Sequence, residues 1–238
     1  MTYKVNIPIV YEDDFLLVVD KPVGISVVDE NEGETATIKD WVKDRYDFKY
    51  HEGKIEDEFE QRFGIVHRLD KETSGVLLIA KTKECFDYLK GLFKFRRIHK
   101  EYQALVYGSV SEERFEITAP IQRSKNNGLL YTVDREGRDS TTEFVVVSRF
   151  QLLSADYSYL HAFPKTGRTH QIRVHLRALG HSIVNDVKYA NKTELKSSEA
   201  AFTRMMLHAK RVNFTDWEGR DRVFESPVSL LANFPASR

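Results

Sequence analysis

Residues 67–75 bring together most of the side-chain types that catalysis uses. Their sequence, HRLDKETSG, supplies an imidazole, a guanidinium, an ammonium, two hydroxyl groups and the carboxylates of Asp70 and Glu72. An apolar run at residues 76–80 follows directly, and Ile65 and Val66 precede the segment. Such runs are typical of strands buried on both faces. The pattern predicts a charged loop between two buried strands, a common place for reactive groups.

A purely structural explanation of this loop is also available. Asp70, Thr73 and Ser74 are residue types that bond their own backbone in Asx and Ser/Thr turns, so the loop could be a tight connection and nothing more. Composition alone leaves both explanations open.

A second segment, residues 165–181, has the sequence KTGRTHQIRVHLRALGH. It predicts a helix that begins after an N-cap at Thr169 and stops at Gly180. The helical period places four residues on the buried face: Ile172, His175, Leu176 and Leu179. His170, Arg173 and Arg177 fall on another stripe. The helix therefore offers phosphate-binding groups, or a guanidinium for a buried carboxylate.

The remaining chain predicts alternating strands and helices that position these two segments. We expect strands near residues 5–10, 15–19, 101–108, 141–148, 157–163 and 205–212, and hairpin-like structure at 111–139. Helices are expected from a cap at Thr35 or Thr37 to Arg45 and over residues 83–95, with a helix or loop at 191–199. Residues 47–61 contain few apolar side chains to bury, so we expect them to form a mobile surface segment.

Charge is distributed unevenly along the 238 residues. The formal net charge is zero, but residues 29–60 hold 12 acidic and 5 basic side chains, so the rest of the chain carries the balancing +7. Residues 88–100 and 165–181 contain no acid and several Lys or Arg residues. Two such stretches are the electrostatic footprint of an RNA binder, although each alone is also compatible with a solvated surface.

Several classes of protein are disfavoured by the sequence. The single cysteine, Cys85, excludes an internal disulfide and a cysteine-based zinc cluster and predicts a small buried residue. Apolar runs of about five or six residues are far shorter than the roughly 20 of a membrane span. A zinc site could use the histidines of the last third, but they show no HExxH pairing; they are His161, His170, His175, His181 and His208. The sequence also contains no nucleotide-binding glycine motif and no GxSxG motif of a hydrolase.

The nine-residue segment HRLDKETSG resembles the signature of the RluA-type RNA pseudouridine synthases. Three further segments are similar to that family and follow its order: YEDDFLLVVDKPVG at residues 11–24, KEYQALVYG at 100–108 and TGRTHQIRVHLRALGH at 166–181. The resemblance covers residues 11 to about 235. The chain departs from the family's pattern at Ser182, where relatives tend to have proline, and at Asn185, where they tend to have glycine.

The resemblance implies an α+β fold with a long, mixed but mostly antiparallel sheet, bent around a central cleft and flanked by helices. It implies one catalytic domain over residues 1–238, without the separate N-terminal RNA-binding domain of many relatives. Residues 29–60 would be an acidic surface insertion that the family does not explain.

The resemblance also assigns roles to residues. Asp70 would be the nucleophile, Arg173 would pair with it and keep it ionised, and Tyr102 would stack on the detached base and help to move the C5 proton. Arg68 would fill the space of the extruded uridine or hold its phosphate. The remaining residues implied to bind substrate are His67, Arg168, His170 and Leu207, the last being equally compatible with a plain core leucine.

The implied function is that of an isomerase that converts specific uridines of ribosomal or transfer RNA to pseudouridine. It would need no cofactor and no metal, and we expect a cytoplasmic monomer that binds RNA and no membrane. The alternative is a non-catalytic RNA-binding or ribosome-assembly protein on the same scaffold. The presence of Asp70, Tyr102 and Arg173 favours the enzyme.

Overall fold

The structure is a computed structural model that describes residues 6–28, 36–46 and 57–230. Its strands come in runs that are separated by one or two helices, the order that is typical of an α+β protein. Within these three ranges, no helix has the length and apolar character that crossing a membrane requires.

Eleven strands and five helices are assigned in this part of the chain. In chain order they are β1 (Ile9–Glu12), β2 (Leu16–Lys21), α1 (Ile38–Arg45), α2 (Glu58–Arg62), β3 (Ser74–Ala80), α3 (Lys83–Lys94), β4 (His99–Tyr107), β5 (Arg114–Thr118), β6 (Ile121–Arg123), β7 (Tyr131–Val133), β8 (Thr141–Leu152), β9 (Ala155–Pro164), α4 (Gln171–Ala178), α5 (Lys192–Ser198), β10 (Leu207–Thr215) and β11 (Asp221–Glu225).

The chain divides into two compact units, each made of two segments. Unit 1 comprises residues 1–98 and 211–227, and unit 2 comprises residues 99–210 and 228–238. Strand β10 changes unit along its length, since residues 207–210 belong to unit 2 and residues 211–215 to unit 1.

Unit 1 is built on antiparallel strands. β2 pairs with β1 and β3, and residues 211–215 of β10 pair with β11. All seven residues of β3 are buried, which explains its continuous apolar sequence. One face of α3 packs on this sheet through Cys85, Phe86, Leu89 and Leu92, and burial raises the pKa of the Cys85 thiol to about 12. The predicted helix at residues 83–95 and the buried cysteine are confirmed.

The two short helices of unit 1 give one confirmation and one correction. Thr37 caps α1 through a capping box, in which its hydroxyl accepts the Asp40 N–H at 3.1 Å and the Asp40 carboxylate accepts the Thr37 N–H at 3.0 Å. The sequence predicts a mobile segment at residues 47–61, but the end of this segment lies in α2, because Phe59 packs against the unit 1 core and contacts the Phe86 ring. Residues 29–35 and 47–56 lie outside the described residues.

Unit 2 contains a second antiparallel sheet region in which β9 pairs with β4 and β8, and β8 pairs with β5. The Leu105 N–H of β4 bonds the Met206 carbonyl at 3.0 Å, next to the start of β10. The β6–β7 hairpin forms a separate two-stranded sheet whose Ile121 is buried with Val174 and Tyr189. The hairpin-like structure expected at residues 111–139 is confirmed.

Helix α4 differs from its prediction at both ends. The N-cap is His170, in the left-handed region at φ 56°, so the expected cap at Thr169 is one residue too early. At the other end the Gly180 N–H bonds the Arg177 carbonyl and the His181 N–H bonds the Leu176 carbonyl, the Schellman arrangement that a glycine permits. Leu179, expected on the buried face, lies beyond the helix and is 45% exposed.

The predicted fold class, α+β with a mostly antiparallel sheet, is confirmed, since every strand pairing given above is antiparallel. Two expected strands are altered. The first starts at Ile9, after residues 6–8 that are not in a strand, and the strand that enters the charged loop is reduced to one bridge between Ile65 and Ile79. The cleft, the single catalytic domain and the acidic insertion stay predictions.

Candidate functional site

The loop that carries Asp70 is fixed at the end where the chain enters it. Gly64 accepts a hydrogen bond from the Ala80 N–H at 2.9 Å and has a φ of 71°. A Cβ at this position would lie 1.9 Å from the Ala80 carbonyl oxygen, so only glycine allows this close approach of the two segments. The entry to the loop is thereby tied to the end of β3.

His67 fixes the next part of the loop. Its Nε2 accepts the Leu78 N–H at 2.9 Å, and its ring lies 4.8 Å from the Phe93 ring of α3. A nitrogen that accepts from a backbone N–H carries no proton, so the proton of this imidazole is on Nδ1. The structure therefore gives His67 a part in positioning the loop, and its predicted contact with substrate stays a prediction.

The middle of the loop is held by backbone contacts on both sides of Asp70. The Thr73 N–H bonds the Asp70 carbonyl at 3.0 Å, which closes a turn. The Lys71 carbonyl accepts the Gly24 N–H at 2.8 Å and the ammonium of Lys21 at 3.3 Å. Lys21 is completely buried, so this clamp joins the loop to the chain reversal after β2.

The fixed backbone places the Asp70 carboxylate near the surface of unit 1. Asp70 is partly exposed and Arg68 is exposed, whereas Leu69 between them is buried. The turn explanation and the catalytic explanation are compatible, because the Thr73 N–H makes its turn bond to the backbone carbonyl of Asp70. A partly exposed carboxylate on a rigid loop is suited to nucleophilic attack.

Arg173 of α4 lies in unit 2 and is paired with a carboxylate there. Its Nε donates to Asp186 Oδ2 and its Nη2 to Asp186 Oδ1, both at 2.7 Å, and both side chains are almost fully buried. The guanidinium carbon also lies 5.1 Å from the centre of the Tyr189 ring. Of the two alternatives for this helix, a guanidinium for a buried carboxylate is what the structure shows for Arg173. Its predicted pairing with Asp70 stays a prediction.

Tyr189 connects this ion pair to the β6–β7 hairpin. Its hydroxyl accepts the Tyr131 N–H at 3.0 Å and lies 2.7 Å from His170 Nδ1. His170 is therefore held by Tyr189 at the start of α4. Asp186 and Tyr189 are not among the site residues that the sequence predicts. The signal that would have found them is the need of a buried arginine for a carboxylate.

A buried polar network joins α4 to β8. The Gln171 amide donates to the Thr142 hydroxyl at 2.9 Å and accepts the Thr166 hydroxyl at 2.6 Å. The Thr142 hydroxyl lies 3.0 Å from His175 Nδ1, and His175 Nε2 donates to the Ala119 carbonyl at 3.1 Å. Burial lowers the pKa of His175, which favours the neutral form of the ring. This histidine is structural.

Tyr102 lies on β4 opposite Ala162 and is half-buried against the core of unit 2. Side chains alternate along a strand, so Lys100 shares its face. The Lys100 ammonium donates to the Thr166 carbonyl at 3.1 Å, and burial lowers the pKa of Lys100 to about 8. Leu207 is 3% exposed within the same core, where packing alone accounts for it.

The basic stretch at residues 88–100 does not form one charged surface. Lys90 is paired with Glu58, Lys100 is largely buried, and Lys94, Arg96 and Arg97 are exposed. Among the described residues, no cluster of three or more His, Cys, Asp or Glu side chains could hold a metal ion.

The two departures from the family pattern are accommodated locally. Asn185 adopts a φ of 56°, a conformation that asparagine tolerates better than most residues, and its amide bonds the Phe202 carbonyl. Ser182 is fully buried, and its hydroxyl donates to the Tyr189 carbonyl at 3.4 Å. The turn that carries Asp186 is therefore intact.

Comparison with known families gives one match over most of the chain. Residues 15–178 match the family described as RNA pseudouridylate synthase. The matched region contains Asp70, Tyr102 and Arg173 together with Arg168 and His170, and it ends before Leu207.

Individual proteins show the same likeness. The dual-specificity RNA pseudouridine synthase RluA of Vibrio parahaemolyticus is 38% identical over 208 residues, which are 87% of this chain and 76% of that protein. The ribosomal large subunit pseudouridine synthase C of Vibrio cholerae is 32% identical over 87% of this chain, which spans only 60% of that protein. The structure of human RNA pseudouridylate synthase domain containing 1 matches with a TM-score of 0.74 and 28% identity, over 94% of this chain and 84% of that one.

Proposed function

Because this chain belongs to the RNA pseudouridylate synthase family, in its RluA-type branch, we propose that it is an isomerase that converts uridines of RNA to pseudouridine. The observation that carries the proposal is the family match over residues 15–178, which includes the HRLDKETSG loop. Relatives are named for the large ribosomal subunit, which supports ribosomal RNA as a substrate, and another is named for dual specificity. Transfer RNA is the second proposed substrate, and we propose that the protein acts in the cytoplasm as a monomer.

The reaction breaks the C1′–N1 bond of uridine and forms a bond between C1′ and C5. N1 gains a proton and C5 loses one, so no oxidant and no cofactor take part. A nucleophile must add and later leave, which a carboxylate can do. Asp70 is the proposed nucleophile, and its attack on C1′, on C6 or after a step at the 2′ position is compatible with its place on the loop.

Arg173 is the proposed cation that keeps the Asp70 carboxylate ionised. A positive charge within about 4–6 Å lowers a carboxylate pKa by roughly 1–3 units. The bond to Asp186 uses two of the five N–H donors of Arg173 and fixes the plane of the guanidinium. This orientation supports a directional role for Arg173, which lysine would not supply.

Tyr102 is the proposed group that stacks on the detached uracil and assists removal of the C5 proton. Its half-buried position on β4 supports a role that needs an aromatic face and a hydroxyl. Lys100, on the same face of the strand, has a pKa lowered to about 8 by burial, so it exchanges protons near neutral pH.

RNA binding is proposed for Arg68, Arg168 and His170. A uridine inside a stem must leave the stack before its base can react, and an exposed Arg68 beside Asp70 suits the space left behind. Arg168 and His170 precede α4, where a helix start favours phosphate. Such contacts fix the RNA without reading its sequence.

The test is release of tritium from RNA labelled at uridine C5. Ribosomal and transfer RNA from a source lacking the enzyme are incubated with wild type, with Asp70→Asn and with Asp87→Asn, an exposed carboxamide control on α3. We expect release with wild type and Asp87→Asn and none with Asp70→Asn. Tight RNA binding without release would support the non-catalytic RNA-binding protein instead. Normal turnover by Asp70→Asn would remove Asp70 as the nucleophile.

A further inference from the structure

A pocket of about 420 Å³ lies in unit 2 between the β6–β7 hairpin and the turn that precedes α4. Three arginines line it, Arg123, Arg138 and Arg168, together with Tyr131 and Glu136. Its volume falls in the range of about 300–1,000 Å³ that is typical of ligand sites in proteins. None of the roles assigned above uses Arg123, Arg138 or the hairpin.

The positive charge of this pocket is not neutralised by the protein. Across the part of the chain that the structure describes, Arg123, Arg138 and Arg168 form no ion pair. The pocket's carboxylate, Glu136, is itself bound to Lys125 at 2.7 Å. Three arginines thus line one cavity whose single acid already has a partner, so the pocket favours an anion.

The frame of the pocket is rigid before any ligand binds. Ile121 and Arg138 exchange backbone hydrogen bonds at 3.0 and 2.9 Å, and Ile121 is buried. Gly137 lies so close that a Cβ there would be 2.6 Å from the Ile121 carbonyl carbon. On the other side, the Arg168 N–H donates to Gln171 Oε1 at 3.0 Å. A preformed site loses little conformational entropy on binding.

We propose that this pocket binds a phosphodiester group of the RNA backbone through Arg123, Arg138 and Arg168. The inference rests on the proposed function, because it takes RNA as the ligand. The planar guanidinium group of arginine binds two phosphate oxygens at once. Three arginines carry more positive charge than one carboxylate can neutralise. The cavity has room for a phosphate with its sugar, and Tyr131 supplies an apolar wall. The pocket sets RNA affinity and register, not the chemistry.

The test is RNA affinity measured by fluorescence anisotropy with a fluorescein-labelled RNA hairpin, at several salt concentrations. Arg138→Gln and Arg123→Gln are compared with Arg135→Gln, which removes the same charge from an exposed position in the turn after β7, outside the pocket. Each pocket variant is expected to bind about fivefold more weakly at about 0.1 M salt and to lower the salt slope by about 0.7, the counterion release of one single-strand phosphate contact. Arg135→Gln is expected to bind like wild type.

Equal affinity of the pocket variants and wild type overturns the proposal, as does an equal loss in Arg135→Gln. Titration with inorganic phosphate and with polyglutamate separates the other ligands. Loss of either ligand in Arg138→Gln, with RNA affinity unchanged, identifies a free-phosphate or acidic-peptide site and overturns it too. Thermal melting of each variant confirms that it folds.

The two proposals fail in different measurements. Wild type that binds RNA but releases no tritium ends the proposed activity, and the anisotropy comparison still decides the pocket. Wild type that releases tritium while the pocket variants bind normally ends the pocket proposal alone.

Discussion

Arg173 and Asp186 form a bidentate ion pair with two N–O distances of 2.7 Å, and their side chains are 1% and 0% exposed. Both charges are buried away from water, and each is tolerated there only because the other is present. The pair therefore fixes the orientation of a guanidinium that the sequence alone placed on a polar stripe.

Asp186→Asn should strongly destabilise unit 2. The substitution keeps the shape of the side chain but leaves the Arg173 charge buried and uncompensated, which costs about 3–5 kcal/mol. Urea denaturation measures the loss. The matched control is Asp87→Asn, which removes an exposed pair with Lys83 and should cost at most about 1 kcal/mol. A similar small cost for both would mean that the buried pair adds no stability.

Gly64→Ala should be far more damaging than Gly24→Ala. Both glycines have positive φ, 71° and 84°, so alanine at either position costs about 1–2 kcal/mol because it must adopt the left-handed conformation. Only at Gly64 does the new Cβ also meet a backbone oxygen, at 1.9 Å, whereas nothing lies within 4 Å at Gly24. We expect a loss of at least about 3 kcal/mol for Gly64→Ala in urea denaturation. Equal losses would show that the contact with Ala80 does not matter.

His67→Phe should lower stability and turnover and leave RNA affinity unchanged. Phenylalanine preserves the contact with the Phe93 ring but leaves the Leu78 N–H without its acceptor, which costs about 1–3 kcal/mol. The expected result is a lower kcat with an anisotropy Kd within about twofold of wild type. The control is His99→Phe at an exposed position. A weaker Kd with normal unfolding would instead assign His67 to RNA binding.

Acid should destabilise unit 2 through His208. This side chain is 1% exposed, and burial, with Arg204 and Lys210 nearby, lowers the pKa of His208 from 6.5 to about 4. Between these pH values the unfolded chain binds more protons than the folded chain. The contribution of neutral His208 to the free energy of unfolding is therefore fully present above about pH 6.5, and roughly 3 kcal/mol is lost as the pH falls toward 4. His175, whose pKa is also lowered, acts in the same direction.

The His208 contribution is isolated with His208→Gln, which cannot gain the proton. Unfolding free energies from urea titrations between pH 7 and pH 4.5 should fall less steeply for this variant than for wild type. Parallel pH profiles would remove His208 as a source of acid sensitivity.

Local signals were sufficient for much of the fold. The capping box at Thr37, helix α3 and the buried strand β3 follow from residue types and periodicity over a few positions. The resemblance of residues 67–75 located the loop of Asp70, and the family match confirms the family. Each of these features depends on residues that are close together in sequence.

Distant residues decide what local signals leave open. The sequence allowed Arg173 either a phosphate or a buried carboxylate as its partner, and the structure supplies the carboxylate from Asp186, thirteen positions later. Helix α2 forms because Phe59 finds the unit 1 core. The cap of α4 shifts to His170, whose ring is held by Tyr189. Periodicity contains no information about any of these partners.

The segment order of unit 1 has a consequence for synthesis on the ribosome. Val212, Phe214 and Phe224 belong to its core, yet they follow the whole first segment of unit 2 in the chain. The ribosome adds about 5–20 residues per second, so these side chains are synthesised roughly ten seconds after the first segment of unit 1. During that time a nascent chain exposes apolar surface on β3 and α3. Chains stalled before residue 211 should therefore be cleaved by protease in this region, and chains stalled well past residue 227 should resist.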